Sequence, residues 1–198
     1  MGAEVGIEAQ LYEPTRQFVG TRFRQLLRDR VPSNGLQMFV EDTSIAGGPD
    51  SGYWSRPDVS ALTVSRGQFV PYWSADLHTF EVKTASGLRE HSVHEANAHG
   101  RFGQYAWLVF QAVGNASVDS TTFKKVSKLA TQLGVGVVHF QDASAPKNTW
   151  IVEQWAQPTG ASPAAADAFV RERFTPTMTA RISSHLKTLG WPRVADED

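Results

Sequence analysis

Residues Tyr105 to Val113 read YAWLVFQAV, and this run limits the possible folds more than any other segment. A strand with one face in water alternates apolar and polar side chains, whereas a run broken only by Gln111 suits a strand covered on both faces. Such a strand belongs at the centre of a sheet with helices on either side. A second apolar run, VGVVHF at 135–140, follows a stretch that offers Asp119 or Ser120 as a helix cap and Gly134 as a stop. Strand, helix and strand in this order predict a right-handed parallel crossover. The expected fold class is α/β, with a mixed central β-sheet flanked by helices.

The remaining elements fit around that centre. Apolar residues in LYEPTRQFVGTRFRQLL recur with helical spacing, predicting a first helix over 11–29 with Pro14 in its first turn. Leu36 to Ile45 reads as a strand. Asp58 to Ser65 and Leu77 to Thr84 read as a hairpin-like pair, separated by an insertion carrying Phe69, Tyr72 and Trp73. His91 to Gly103 is weakly helical. Ser162-Pro163 and Thr175-Pro176 each place a cap before a proline, and Gly190 follows as a stop, so two helices end the chain and either close the core or form a dimer face. The 198 residues are expected to form one domain, with a core over about 8–155 and a helical C-terminal extension over about 160–190.

Composition narrows the chemistry. With no cysteine, disulfides, zinc ribbons and thiol nucleophiles are excluded, and a metal ion must sit among oxygens or imidazoles. A net charge of −1 gives no overall polyanion-binding signature, so contact with nucleic acid needs a local patch. No run approaches the ~20 apolar residues of a membrane span, and MGAEVGIEAQ lacks the pattern of a secretory signal; a cytoplasmic protein with no membrane partner is expected.

The stretch LHTFEVKT places Thr79, Glu81 and Lys83 on one face of a strand and Phe80 and Val82 on the other. Upstream, RPDVSALTV opens another strand with Asp58. Pairing the two segments brings the Asp58 and Glu81 carboxylates together, and two like charges in a partly dry site call for a cation. Mg²⁺ or Mn²⁺ is the simplest one. Asp58 and Glu81 would hold it, with the main-chain carbonyl of Val82 as a third oxygen, while Lys83 orients water or offsets developing charge on a phosphoryl group. The bland alternative is that Glu81 and Lys83 merely decorate a solvent-facing strand.

RPD at 56–58, followed by FEVKT at 80–84, resembles the PD-(D/E)xK nuclease superfamily of restriction endonucleases, repair nucleases and junction resolvases. The resemblance covers about residues 8–113 and implies a restriction endonuclease-like αβββαβ core that hydrolyses phosphodiesters with a divalent metal. It further implies an early glutamate completing the metal site, which in EAQLYEP is Glu8, with Glu13 as the alternative. A polar residue on the helix after the lysine is also implied, and Glu95 in SVHEANAH takes that place as a fourth catalytic candidate. His99 lies one turn beyond Glu95. Pro49-Asp50 is a competing match, but Ser-Gly follows it rather than a β-run.

Other signals carry less. His94 and His99 in HEANAH are five apart, turned by ~140° on a helix, so they cannot chelate zinc as H-E-x-x-H does. Neither a nucleophile elbow nor a Walker loop is present. Arg16, Arg22 and Arg24 on the first helix, with His99 and Arg101, are the candidate nucleic-acid contacts, although arginines on a helix are often simply solvated. Tyr53, Trp54, Tyr72 and Trp73 either stack on bases or pack under their loops. The expected function is a Mg²⁺- or Mn²⁺-dependent DNA endonuclease, restriction-like or phage-defence, working as a homodimer or with a partner protein. The alternative is a nuclease-fold subunit that binds nucleic acid or assembles with a partner without cutting.

Overall fold

A computed structural model describes residues 8–30, 34–44, 56–67, 69, 72–144 and 149–191. Pro49-Asp50, Tyr53 and Trp54 lie outside these residues. Six strands form one sheet in the order of the chain: β1 (Asn34–Asp42), β2 (Val59–Arg66), β3 (Trp73–Lys83), β4 (Tyr105–Gln111), β5 (Gly136–Phe140) and β6 (Trp150–Gln154). β2 runs antiparallel to both β1 and β3; β3, β4 and β5 are parallel to one another, and β6 turns back antiparallel to β5. The sheet is therefore mixed, with β4 and its continuous apolar run buried inside it.

Helical backbone runs from Tyr12 to Arg30 as α1 (Tyr12–Phe18), a π-helical stretch (Val19–Phe23) and α2 (Arg24–Arg30). The predicted first helix is present, but the π turn departs from a uniform 3.6-residue period. Its effect is local: Phe18 and Phe23, five residues apart, both face the sheet, with ring centroids 6.1 Å apart. Phe23 packs edge-on against Phe80 and Trp107, at 5.6 and 4.9 Å between centroids. Together with Val19 and Leu27 these rings fill one face of the sheet. The close fit extends to β5, where a Cβ on Gly136 would overlap the Trp107 indole.

The opposite face is covered by helices α3 (Glu90–Ala98), α4 (Thr121–Leu133), α5 (Pro163–Arg173) and α6 (Pro176–Thr188). Ser120 caps α4 by accepting the Phe123 N–H, and Gly134 ends it with φ 70°. Ser162 and Thr175 cap α5 and α6 ahead of their prolines. The two C-terminal helices close the core. Phe169, Met178 and Ile182 cover Phe39, Leu62 and Leu77, while Val93, Phe123 and Val126 cover Leu108 and Phe110. These are two separate apolar clusters, and the β2–β3 register places Ser60, Thr79 and Glu81 on the same face between them.

Some boundaries differ from the sequence reading. The predicted strand Leu36–Ile45 is Asn34–Asp42, and Trp73, read as part of an insertion, is the first residue of β3. It pairs with Arg66 because the hairpin extends four residues beyond the alternating segment that begins at Leu77. Strand β6 was not anticipated, since WIVEQ at 150–154 is short and only half apolar. No described helix is long and apolar enough to cross a membrane.

Candidate metal centre

The β2–β3 pairing sets the geometry. Asp58 stands immediately before β2, where its backbone N–H bonds to the Phe80 carbonyl at 3.1 Å. Its Oδ2 accepts the Val82 N–H at 2.8 Å. Glu81 follows Phe80 on the face that carries Thr79 and Lys83, so both acids arrive near the carboxyl end of β3. Glu8, helical backbone just ahead of α1, brings a third. Each of Glu8, Asp58 and Glu81 places one carboxylate oxygen within 4.8 Å of the others.

Lys83 lies among acids. Its Nζ is 2.6 Å from Glu81 Oε1, 3.1 Å from Glu95 Oε2 and 3.5 Å from Glu8 Oε1. Three carboxylates thus face one amine. Burial pushes the Asp58 carboxyl up to about 7, against the pull of the Val82 and Tyr12 hydrogen bonds. Burial and then the Asp58 charge hold Glu81 well above the usual carboxylate range. Burial opposes the charge on Lys83, but Glu81, Glu8 and Glu95 outweigh it and raise the amine above its ordinary value. Lys83 is therefore held protonated, with no tendency to act as a base at neutral pH.

Two further side chains support the acids. The Tyr12 hydroxyl donates to the Asp58 carboxylate, and burial together with Asp58 raises the phenol further, so it stays protonated. The sequence reading missed Tyr12, although its spacing of four from Glu8 puts both on one helical face. His99 is 1% exposed, with Nε2 3.7 Å from Glu81 Oε2. Burial lowers it to about 3, so it stands neutral behind Glu81 and cannot compensate the acids.

That burial corrects the assignment of His99 to nucleic-acid contact, because a side chain closed off from the surface cannot reach a phosphate. The arginines of the first helix do not converge either. Arg16 is paired with Glu13 at 2.7 Å, and Arg24 is turned onto β1, with Nη2 3.4 Å from the Leu36 carbonyl. Arg22 is exposed. Arg101 is also exposed, its guanidinium 4.5 Å over the Phe102 ring. Glu13 faces solvent beside Arg16, whereas Glu8 lies with the other acids.

The donor set fits a hard cation. Three carboxylate oxygens, with no sulfur and a buried neutral imidazole behind them, suit Mg²⁺, Mn²⁺ or Ca²⁺, whose oxygen ligands stand at ~2.0–2.6 Å. Val82, expected to lend its carbonyl, has its side chain buried in the opposite core and its N–H on Asp58.

No protein-family model matches the chain, and no curated protein matches its sequence. Among solved structures, the chain is similar to a protein of unknown function from Silicibacter pomeroyi, at 11% identity and TM-score 0.38, over 80% of this chain and 86% of that one. It is also a weak structural neighbour of SfsA from Pyrococcus furiosus, solved in complex with Ca²⁺. That likeness has 16% identity and TM-score 0.28, over 72% of this chain and 64% of that one. Neither likeness bears on what this chain binds or does.

Proposed function

We propose that this protein is a divalent-metal-dependent nuclease of the PD-(D/E)xK kind, acting on DNA. The observation that carries the reading is the convergence of Glu8, Asp58 and Glu81 within 4.8 Å, with the Lys83 amine 2.6 Å from Glu81. A bound Mg²⁺ or Mn²⁺ would supply activated water and offset the charge of the phosphoryl group. The chain's own groups have distinct tasks. Glu8, Asp58 and Glu81 hold the cation, while Tyr12 and the Val82 N–H fix the Asp58 carboxylate. Lys83, a protonated donor, orients the attacking water or steadies a phosphoryl oxygen, and Glu95 aims its amine. In the reaction a water oxygen bonds to phosphorus as the water releases a proton to solvent, the bond from phosphorus to the leaving ester oxygen breaks, and that oxygen takes up a proton from solvent.

The crowding of acids favours catalysis over a non-cutting subunit, because a retired site has no physical need of a buried repulsive pair. Purified protein incubated with supercoiled, linear and single-stranded DNA in Mg²⁺ or Mn²⁺ is expected to cut, and Asp58→Ala and Lys83→Ala to reduce the rate by ~100-fold or more. Indistinguishable wild type and variants would overturn the reading.

A further inference from the structure

A second polar region lies at the other end of β3 and on its other face. Where the sheet is otherwise apolar, Thr63 and Ser65 of β2 and Ser74, Asp76 and His78 of β3 form successive inward positions, set opposite one another by the hairpin register. They floor a cavity of ≈ 280 Å³ beyond the last turns of α2. Its walls are the rings of Tyr72, Tyr105, Trp107 and Trp155, and Arg30 stands at the rim with its guanidinium 4.8 Å over Trp155. Asp76 and Glu81 are five residues apart on the strand, ~16 Å, so the cavity is separate from the acidic centre.

A structural floor would satisfy its own hydrogen bonds, and this one does so only in part. Ser74 donates to Asp76 Oδ2 at 2.6 Å and Thr63 to the Asp76 carbonyl at 3.1 Å, leaving Oδ1 with no donor among the described residues. His78 Nδ1 accepts the Trp107 indole N–H at 3.2 Å. That bond fixes the proton on Nε2, which has no acceptor among the described residues although His78 is 2% exposed. Ser65, 6% exposed and lining the cavity, has no hydrogen-bond partner among them. Polar groups left open in a cavity walled by aromatic rings, two of them on the buried residues Ser65 and His78, mark a place for a polar, planar guest.

We propose that this cavity binds a guanine-type base presented as a mononucleotide. A carboxylate oxygen suits the adjacent ring and exocyclic N–H groups of guanine, the Nε2–H of His78 and the Ser65 hydroxyl suit its carbonyl oxygen, and the surrounding rings suit its faces. The volume, ≈ 280 Å³, lies just below the ~300–1,000 Å³ usual for ligand sites, which fits one base rather than a longer segment. Arg30 at the mouth is placed for the phosphate.

Calorimetric titration of the full chain with GMP, AMP, CMP and UMP tests this, beside a guanine-containing oligonucleotide to separate a free nucleotide from a strand. GMP is expected to bind ~10-fold or more tighter than AMP, and both Asp76→Asn and Ser65→Ala to weaken it by ~10-fold while Asp58→Ala leaves it unchanged. Ser65→Ala removes only a hydroxyl, so its effect stands even if Asp76→Asn disturbs folding. Absence of nucleotide binding, GMP no tighter than AMP, tighter binding of the oligonucleotide than of GMP, or insensitivity to Ser65→Ala would each overturn the proposal.

Discussion

Strand β3 carries two polar regions that differ in kind. Toward its carboxyl end, Glu81 and Lys83 join Asp58, Glu8 and Glu95 in a cluster dominated by formal charge, with Asp58 and Glu81 pushed toward neutrality by burial and by neighbouring acids. Toward its amino end, on the other face, His78 is neutral and its region is marked instead by hydrogen-bond capacity left open. Excess like charge asks for a cation; open donors and acceptors ask for a molecule of matching edge. The same strand thus offers two unlike sites because alternation sends odd and even residues to opposite faces.

The largest expected contrast is in metal affinity. Titrating Mn²⁺ and following the thermal midpoint, Asp58→Asn should lose binding by ~100-fold while Asp76→Asn binds as wild type does. Equal losses would erase the distinction between the two regions. A second contrast is in pH. Asp58, raised to about 7 in the fold, takes up its proton before the unfolded chain does, so it adds stability as pH falls from about 7 toward the ordinary carboxylate range. His78, lowered by burial to about 3, refuses a proton that the unfolded chain accepts below about 6.5, so stability falls from there toward pH 3. The slopes oppose each other. Urea melts across pH 4–7 should show a steeper acid loss in Asp58→Asn and a gain on acidification in His78→Asn; identical profiles would refute both assignments. The smallest contrast is in stability with chelator at pH 8, where Asp58→Asn should gain ~2 kcal/mol by relieving buried repulsion and Asp76→Asn should change by less than ~0.5 kcal/mol.

The two regions were also unequally legible in the sequence. Glu81 and Lys83 sit in a strictly alternating strand, and Asp58 opens its partner, so a period of two was enough to place them together. Caps at Ser162 and Thr175, and at Asp119 or Ser120, were readable because a side-chain oxygen ahead of a helix has one obvious task. Tyr12 was not, since a tyrosine in an amphipathic helix looks like core, and only the fold reveals an acid against its hydroxyl. The burial of His99 depends on the 3₁₀ turn at His99–Arg101 that ends α3, which no local pattern announces. The cavity above His78 was hidden for another reason: it arises where α2 stops short of the end of the hairpin, and helix length against strand length is a property of the assembled molecule. Arg16 and Arg24 illustrate the converse, a sequence patch dispersed when its members found closer partners in Glu13 and β1.

Asp58, just ahead of β2, and Glu81 of β3 lie in the strip between two hydrophobic clusters, each packed by its own pair of helices. Exchanging those acids takes no apolar contact away from either layer. The side chains of that strip are therefore open to exchange without loss of shape, so chains with other polar groups there would keep the architecture.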